Sequence, residues 1–589
     1  MKRLTKQFLI PEKKVSHESR AYDLYPSHHL PEGEIAVGYS TLAEKLLGEP
    51  VLILDGYIGV DWEEVSSELV RIFKEMGKTV RAIDIREYFK SENRIQKMIE
   101  PFLGGDDPLF GTRTTLGLSD YIDEHKIDAI QLDDRADINL IYGTGASRSK
   151  IDGFLVYFDL PKNELQYRMR AGAITNLGFS APKDAGQMYK HFYFVDWVVL
   201  NKEKRALLPK IGIMVDQQRP DNPTWASGRT LRNALSKMSK SFFRARPWFQ
   251  PGVWGGQWMK EKFPGLNLED PNLAWSIELI SPENGLLFES SGNLLEISFD
   301  TIMYQEMENI LGKAVNRFQH EFPIRFNFLD TYDGGNLSIQ CHPGPEYAKE
   351  QFGENFTQDE TYYILDCEEG AEVYLGFQEG IDPDGFKKAL ESSFETKEIL
   401  DIDKYVQKFP AEKHDLYLIP HGTVHCSGIN NMVLEISATP YLFTFKMYDW
   451  QRLDLNGRPR PLNIEHAFKN LNFESQGGMV MQTLKSKPLE VSSGANWKKI
   501  HLPTHPLHFY DIYRYEFAES VTIETMGQCH IMMLVEGNSM VLSVDDTGSG
   551  TFNYAETIVV PAAARSYKLT NSGGEIAKVV VCFVKEEAC

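Results

Sequence analysis

A change of hydrophobic pattern between residues 220 and 240 constrains this chain more than any other feature. Before it, "PVLILDGYIGV", "TVRAIDI", "IDAIQLDD", "GFLVYFDLP" and "HFYFVDWVVL" are short apolar runs separated by stretches with helical spacing. In "DWEEVSSELVRIFKEMG", Val65, Leu69 and Phe73 fall on one helical face and Gly77 closes the element. Strands apolar on both faces belong in a parallel sheet covered by helices, so residues 1–225 are expected to form an α/β domain. After the loop-like "RPDNPTW" and the aromatic "KSFFRARPWFQPGVWGGQW", strand patterns take over: "LLEISF", "NLSIQC", "TYYILD", "AEVYLGF", "DLYLIP" and "NMVLEIS". Turn residues between them predict a β-rich sandwich or barrel over 240–475, with helical insertions at 301–319 and 383–393. "SVTIET", "HIMMLVEGNSMVLSV", "ETIVVPAAARSYKLT" and "AKVVVCFV" predict a second, smaller β-domain over 480–589.

Composition narrows the function classes. A length of 589 residues and 42% hydrophobic content allow several real cores and exclude a disordered chain. The net charge of −21 argues against nucleic acid and against anionic membranes as partners. "MKRLTKQFLIPEKK" has only Phe8, Leu9 and Ile10 as an apolar centre, too short for a secretory signal, and no later run approaches membrane-spanning length. Six cysteines without a CxxC pair form no disulfide framework, so a cytoplasmic, reduced protein is expected.

The chemistry-bearing stretch is "GGNLSIQCHPGPEYA". Gln340 and His342 lie two apart and share a strand face, and Pro343 stops the strand. Glu360 opens the strand-like "ETYYIL", and "LYLIPHGTVHCSG" ends a strand in a tight turn that presents His425, with His421 as a competitor. Two imidazoles, a carboxylate and an amide oxygen suit a divalent metal such as Zn²⁺, and a small barrel is where adjacent strands bring such groups together. "HLPTHPLH", carrying His501, His505 and His508, is interrupted by prolines and reads as a polar loop.

The segment from about 250 to 475 resembles class I mannose-6-phosphate isomerase, a cupin-fold family. The markers stand in order as "VWGGQW", "FPIRFNFLD", "NLSIQCHPGPEYA", "DETYYILDCEEGAEVYLGF", "IPHGTVHCSG", "LEIS" and "KMYDWQRLDLNGRPRPLNIEHA". The last β-block is similar in outline to the family's second cupin. The resemblance implies a double-cupin region, metal ligands at Gln340, His342, Glu360 and His425, and Zn²⁺ as the metal. It also implies a phosphorylated sugar as substrate, with mannose 6-phosphate and fructose 6-phosphate interconverted through an enediol. Three departures stand out: Gln358 and Asn327 replace lysines of the family, and Lys446 replaces its arginine. Lys446 is a candidate electrophile or phosphate contact, the alternative being a solvated lysine at a strand end. Glu435 is a candidate proton-transfer group, the alternative being a structural carboxylate paired with a nearby lysine. Arg325 or Arg458 is a candidate replacement cation. The alternative is a non-catalytic sugar-binding or regulatory protein that keeps its metal.

In the front part, "VLILDGYIGVDWEE" occupies the place of a P-loop and lacks its lysine, while Asp61, Glu63 and Glu64 would repel a phosphate. With "YGTGASRSKIDG" and "NELQYRMRAGAI" as a basic lid, the order of elements resembles uridine-kinase-like P-loop proteins without a working Walker motif. A nucleotide-linked activity would need that motif. Without it, the expected role is packing against the β-rich part and helping to build a homo-oligomer.

Overall fold

The computed structural model describes residues 3–4, 8–14, 21–266, 268–454, 457–545 and 547–589. Parts of the amino-terminal stretch and of the 446–467 motif lie outside the described residues. The front part contains a seven-stranded sheet in the order Val80–Asp84, Ile138–Tyr142, Val51–Gly56, Phe154–Asp159, Ile213–Asp216, Thr224–Ser227, Ala36–Val37. The first five run parallel, Thr224–Ser227 runs antiparallel to them, and Ala36–Val37 pairs antiparallel with Thr224–Ser227 in turn. Helix Trp62–Glu75 follows the strand Val51–Gly56, with Asp61 capping its first turn by accepting from the Glu64 N–H. One face of the sheet packs under that helix through Val65, Leu69 and Phe73. The other face joins a core that continues through the β-rich part, so the front region is bound to the rest by shared apolar packing.

Two expected strands are not strands. "HFYFVDWVVL" is helical: helix Ala185–His191 passes through a π-turn, Phe192–Asp196, into helix Trp197–Leu207. It is buried on nearly every side, and a buried helix carries the same unbroken apolar run as a buried strand. "IDAIQLDD" ends a short helix, Glu124–Ile127, and continues as a loop, while the strand is the next segment, Ile138–Tyr142. Asn139 fastens that loop, accepting from the Asp133 N–H at 2.9 Å and donating to its carbonyl at 3.2 Å.

From residue 248 the chain is dominated by antiparallel sheets. One has six strands, Leu416–Ile419, Glu360–Cys367, Asn431–Ala438, Ile324–Asp330, Trp275–Leu279 and Trp248–Gln250 in spatial order. A five-stranded sheet, Val406–Pro410, Glu372–Phe377, His425–Ser427, Ile339–Cys341 and Phe445–Tyr448, faces it across the candidate site. The helical insertions are Asp300–Leu311, Val315–Phe318 and Pro383–Thr396. Residues 489–584 form a further six-stranded and four-stranded pair, closed around Met532, Leu534, Leu542 and Leu569. All six cysteines are free thiols, and among the described residues no helix is long and apolar enough to cross a membrane.

At the carboxyl ends of the parallel strands, where open α/β sheets usually receive ligands, a cavity of about 560 Å³ remains, lined by Gly59, Asp61, Asp84, Arg86, Thr144 and Asn176 among others. Other positions along that edge are taken by the protein itself. Asp55, ending the first parallel strand, accepts from the backbone N–H groups of Gly56, Gly145 and Ser147 at 2.7, 2.8 and 2.9 Å. An internal carboxylate thus takes N–H groups that could otherwise face an anion. Gly59 in the following turn has φ +87°, and a Cβ there would stand 2.6 Å from Leu165 Cδ1, so backbone shape and packing account for this glycine. Asp159 accepts from Ser298 N at 2.8 Å, and Asp216 accepts from Glu296 N at 2.8 Å, docking strand Asn293–Ser298 against the sheet edge. Most of the proposed basic lid is consumed in the same way, Arg170 excepted: Arg148 pairs with Glu203, Lys150 with Asp128, and Arg168 with Glu164.

Asp159 is fully buried and is paired with buried Lys204 at 2.8 Å. Burial would raise its pKa, but the adjacent ammonium outweighs that and holds the carboxyl below its ordinary value. Removing the partner leaves an uncompensated charge, so Lys204→Met should cost roughly 3–5 kcal/mol. Urea unfolding will show this as a lowered midpoint, and Asp159→Leu/Lys204→Met should recover most of the loss. An unchanged midpoint in the single variant would disprove the contribution of the pair.

Candidate metal centre and its cavity

Period-two alternation builds the site. On the six-stranded sheet, Arg325 and Asn327, Glu435 and Ser437, and Glu360 and Tyr362 are i, i+2 pairs on one face. Register places Asn327 opposite Glu435, Glu435 opposite Tyr362, and Ser437 opposite Glu360. On the facing sheet, Gln340 stands opposite His425 on one side and Lys446 on the other. His342 follows the end of strand Ile339–Cys341, and all these positions turn toward the space between the sheets.

His342, Glu360 and His425 are buried, and one donor atom from each lies within 4.8 Å of the others. His342 Nε2 is 3.0 Å and His425 Nε2 3.4 Å from the same oxygen, Glu360 Oε2. The opposite nitrogens face carbonyls: His342 Nδ1 is 3.0 Å from Phe443 O, and His425 Nδ1 is 2.9 Å from Thr423 O. A carbonyl only accepts, so each Nδ1 carries the proton and each Nε2 presents a lone pair to the centre. Glu360 is oriented equally firmly. Its Oε1 accepts from Arg325 Nη2 at 2.9 Å and Gln358 Nε2 at 2.7 Å, which leaves Oε2 for the imidazoles. His342 Nε2 and Glu360 Oε2 have no well-aligned hydrogen bond despite being buried. Lone pairs converging on one point, with orphaned buried donor atoms, fit a divalent cation. Gln340 stands at the edge, its Nε2 3.3 Å from His425 Nε2 and its Oε1 accepting from Ser338 at 3.1 Å. Exchanging the two ends of this amide turns the oxygen inward. Burial alone would lower the His342 pKa, but the Glu360 charge reverses this and raises it.

A cavity of about 510 Å³ opens beside the cluster, lined by Gln340, Glu360, Glu435, Gln358, Asn327 and Lys446 among others. Burial drives the Glu435 carboxyl up to about 7; the Arg325 charge opposes the shift and Glu360 adds to it. Its oxygens accept from Asn327 Nδ2 at 2.9 Å and Ser437 Oγ at 3.0 Å, and it forms an ion pair with Arg325. Lys446 is half-buried, and its ammonium has no hydrogen bond to another described residue. Its surroundings bring it down to about 8, chiefly by desolvation and then by the Arg460 charge. Trp254 forms part of the apolar wall. The glycines of "VWGGQW" allow this turn to pack tightly against strand Ile324–Asp330, since a Cβ on Gly256 would lie 2.1 Å from Asp330 Oδ1.

The three departures now have local roles. Gln358 and Asn327 are neutral amides that bridge the site: Gln358 also accepts from Phe443 N at 3.1 Å, and Asn327 accepts from Arg325 Nη1 at 2.9 Å. Arg325 is at the site but fully engaged, its Nε donating to Ala438 O at 2.9 Å. Arg458 lies outside the cavity lining, 71% exposed and 3.6 Å from Asp184. His421 pairs with Asp359 at 2.9 Å and stays out of the cluster. The "HLPTHPLH" segment is not simply a polar loop. His501 pairs with Asp511 at 2.8 Å, whereas His508 is buried against Tyr510 and desolvation pushes it down to about 3. Sequence reasoning missed the cavity lining contributed by Gln166, Met169, Arg170, Tyr189 and Arg460. Its traces were the basic segment "NELQYRMRAGAI", which holds Gln166, Met169 and Arg170, and the marker "KMYDWQRLDLNGRPRPLNIEHA", which holds Arg460.

Residues 38–240 match a family model described as a domain of unknown function, DUF8485. The chain is similar to the mannose-6-phosphate isomerase of Streptococcus mutans, 26% identical over 294 residues, spanning 49% of this chain and 83% of the relative. Mannose-6-phosphate isomerase ManA of Bacillus subtilis is 23% identical over 230 residues, 39% of this chain and 68% of the relative. The crystal structure of mannose 6-phosphate isomerase from Bacillus subtilis superposes with a TM-score of 0.48 at 19% identity, over 58% of this chain and 99% of that one.

Proposed function

We propose that this protein is a metal-dependent aldose–ketose isomerase acting on a phosphorylated sugar, mannose 6-phosphate or a close relative. The observation that carries the reading is the His342–Glu360–His425 cluster at the base of a cavity lined by Glu435 and Lys446. His342, Glu360, His425 and Gln340 would hold the metal, with Zn²⁺ best matched to two imidazoles, a carboxylate and an amide oxygen. When bound, it would supply Lewis-acid stabilisation of the sugar oxygens as charge develops. The similarity to mannose-6-phosphate isomerases over 294 residues supports the choice of reaction.

The remaining chemistry belongs to side chains. Isomerisation moves one proton between C1 and C2, so a group must take it from one carbon and return it to the other. Glu435 lines the cavity, and Asn327 and Ser437 hold its carboxylate in place. A carboxyl brought up to about 7 is basic enough to accept a carbon-bound proton as charge moves to oxygen. Lys446 places an ammonium on the cavity wall beside Gln340, where it can stabilise an enediolate oxygen or meet the phosphate. As a lysine it acts as a point charge, without the fork by which an arginine holds an oxyanion at two points. Trp248, Trp254 and Trp275 limit water on the apolar side of the cavity.

One observation favours the non-catalytic alternative: both Glu435 oxygens already accept hydrogen bonds or ion pairs from the protein. The two readings separate experimentally. Purified wild type should carry one divalent ion per chain, retained through dialysis. His342→Ala should retain less than about a tenth of that content by elemental analysis. Chelation should lower the thermal midpoint of wild type only, corresponding to about 4 kcal/mol if the free metal had been a thousand-fold above its dissociation constant. An intact midpoint and full metal content in His342→Ala would rule out this metal centre.

A coupled assay for fructose 6-phosphate formation should register turnover in wild type that disappears with chelator. Glu435→Gln should lower kcat by about 10²–10⁴ with metal content unchanged. Folded, metal-loaded wild type without turnover on mannose 6-phosphate would reject the isomerase reading in favour of sugar binding alone.

A further inference from the structure

The β-rich part does not enclose the cavity by itself. Helix Lys162–Arg170 contributes Gln166, Met169 and Arg170 to its lining, and helix Ala185–His191 contributes Ala185, Gly186 and Tyr189. A buried network locks this wall in place. Gln166 Nε2 donates to Glu283 Oε2 at 2.7 Å, while the Tyr189 hydroxyl lies 3.1 Å from Glu283 Oε1 and 2.9 Å from the Tyr441 hydroxyl. Glu283 and Tyr441 line the same cavity from the other side of the contact. The front region is therefore a fixed wall of the cavity.

Charge on that wall is unevenly committed. The charged side chains in the lining are Arg170, Arg325, Lys446, Arg460, Glu283, Glu360 and Glu435. Arg325 is consumed by Glu360 and Glu435. Arg460 shares Asp449 with Arg452, so two guanidiniums lean on one carboxylate near Lys446. Arg168 is buried and tied to Glu164, Gly59 O and Gln217. Arg170, two residues later, is exposed and makes one hydrogen bond, from Nη2 to the neutral Gln166 Oε1 at 3.0 Å. Among the described residues it has no carboxylate partner. It closes its helix within the cavity lining, held from behind by the Gln166–Glu283 link.

We propose that Arg170 of the front region, together with Lys446 and Arg460, forms the subsite for the anionic group of the substrate, a phosphomonoester on the sugar. The identity of that sugar rests on the isomerase reading above. The front region thus becomes part of the substrate site, and it selects phosphorylated over neutral sugars. Neutral Gln358 and Asn327 around Glu360 are compatible with phosphate recognition, because the required positive charge arrives from a different part of the chain. Arginine suits the task through its planar, multidentate donors. An arginine that merely complemented its own helix terminus would leave sugar-phosphate affinity unchanged.

Arg170→Gln and Arg170→Lys test this by initial rates with mannose 6-phosphate, competition by inorganic phosphate, and calorimetry with phosphate on metal-loaded protein. Metal content and melting temperature serve as controls. Arg170→Gln should raise KM and the phosphate inhibition constant by about 10- to 100-fold, with kcat within a few-fold of wild type. Arg170→Lys should restore part of the loss, and weak binding of unphosphorylated mannose should not change. If wild type turns over mannose 6-phosphate and Arg170→Gln leaves KM and phosphate inhibition unaltered, the Arg170 subsite is overturned while the isomerase reading stands. If wild type is inactive, the isomerase reading falls, and phosphate calorimetry decides the subsite alone. Weaker phosphate binding in Arg170→Gln then upholds it; equal or absent binding in both proteins overturns it.

Discussion

The division of labour between the two oxygens of Glu360 organises the centre of this protein. Oε1 is held by Arg325 and Gln358, and Oε2 is left to two imidazole nitrogens. Because Glu360 lies on one sheet and His425 on the sheet facing it, this carboxylate joins the layers across a buried polar interior. Arg325 serves two acids, Glu360 and Glu435, so their orientation is set together. With Glu360 and Glu435 ionised, Arg325 charged and the histidines neutral, the group carries an excess negative charge. A divalent cation would reverse that sign and make the cavity floor attractive to a developing oxyanion.

Neutral amides near such a centre do more than reduce charge. Gln358 fixes the oxygen of Glu360 that faces away from the histidines, and Asn327 connects Arg325 to Glu435. Each acts at hydrogen-bond distance on a group facing the cavity. Their effect is positional, and the cations that could meet a phosphate lie elsewhere in the lining, at Lys446, Arg460 and Arg170.

The front region uses an α/β sheet in an unusual direction. At its carboxyl edge, Asp55 absorbs loop N–H groups, while Asp159 and Asp216 bind strand Asn293–Ser298. The Asp159 and Asp216 part of that edge has become a docking surface. Beyond it, helices Lys162–Arg170 and Ala185–His191 reach the cavity of the β-rich part. Burial of one sheet face in the common core makes this attachment part of the fold's stability.

Much of this was legible in residue order. Period-two alternation placed Gln340 with His342, and the apolar spacing of Val65, Leu69 and Phe73 with the closing Gly77 outlined helix Trp62–Glu75, because these signals act over a few residues. The order of motifs also pointed to Glu360 and His425, whose convergence with His342 requires two facing sheets. Local pattern failed where burial is complete. "HFYFVDWVVL" is helical, where an all-round apolar helix and a buried strand look alike in sequence, and His508 is buried although its stretch reads as a polar loop. Tertiary structure alone decided which cations are already paired. Arg325 is spent and Arg168 is structural, while Arg170 lies in the cavity lining. The sequence determined which groups were available; the decisive pairings join separate segments, 35 residues apart for Arg325 with Glu360, 49 for Arg168 with Gln217 and 117 for Gln166 with Glu283, which no local spacing encodes.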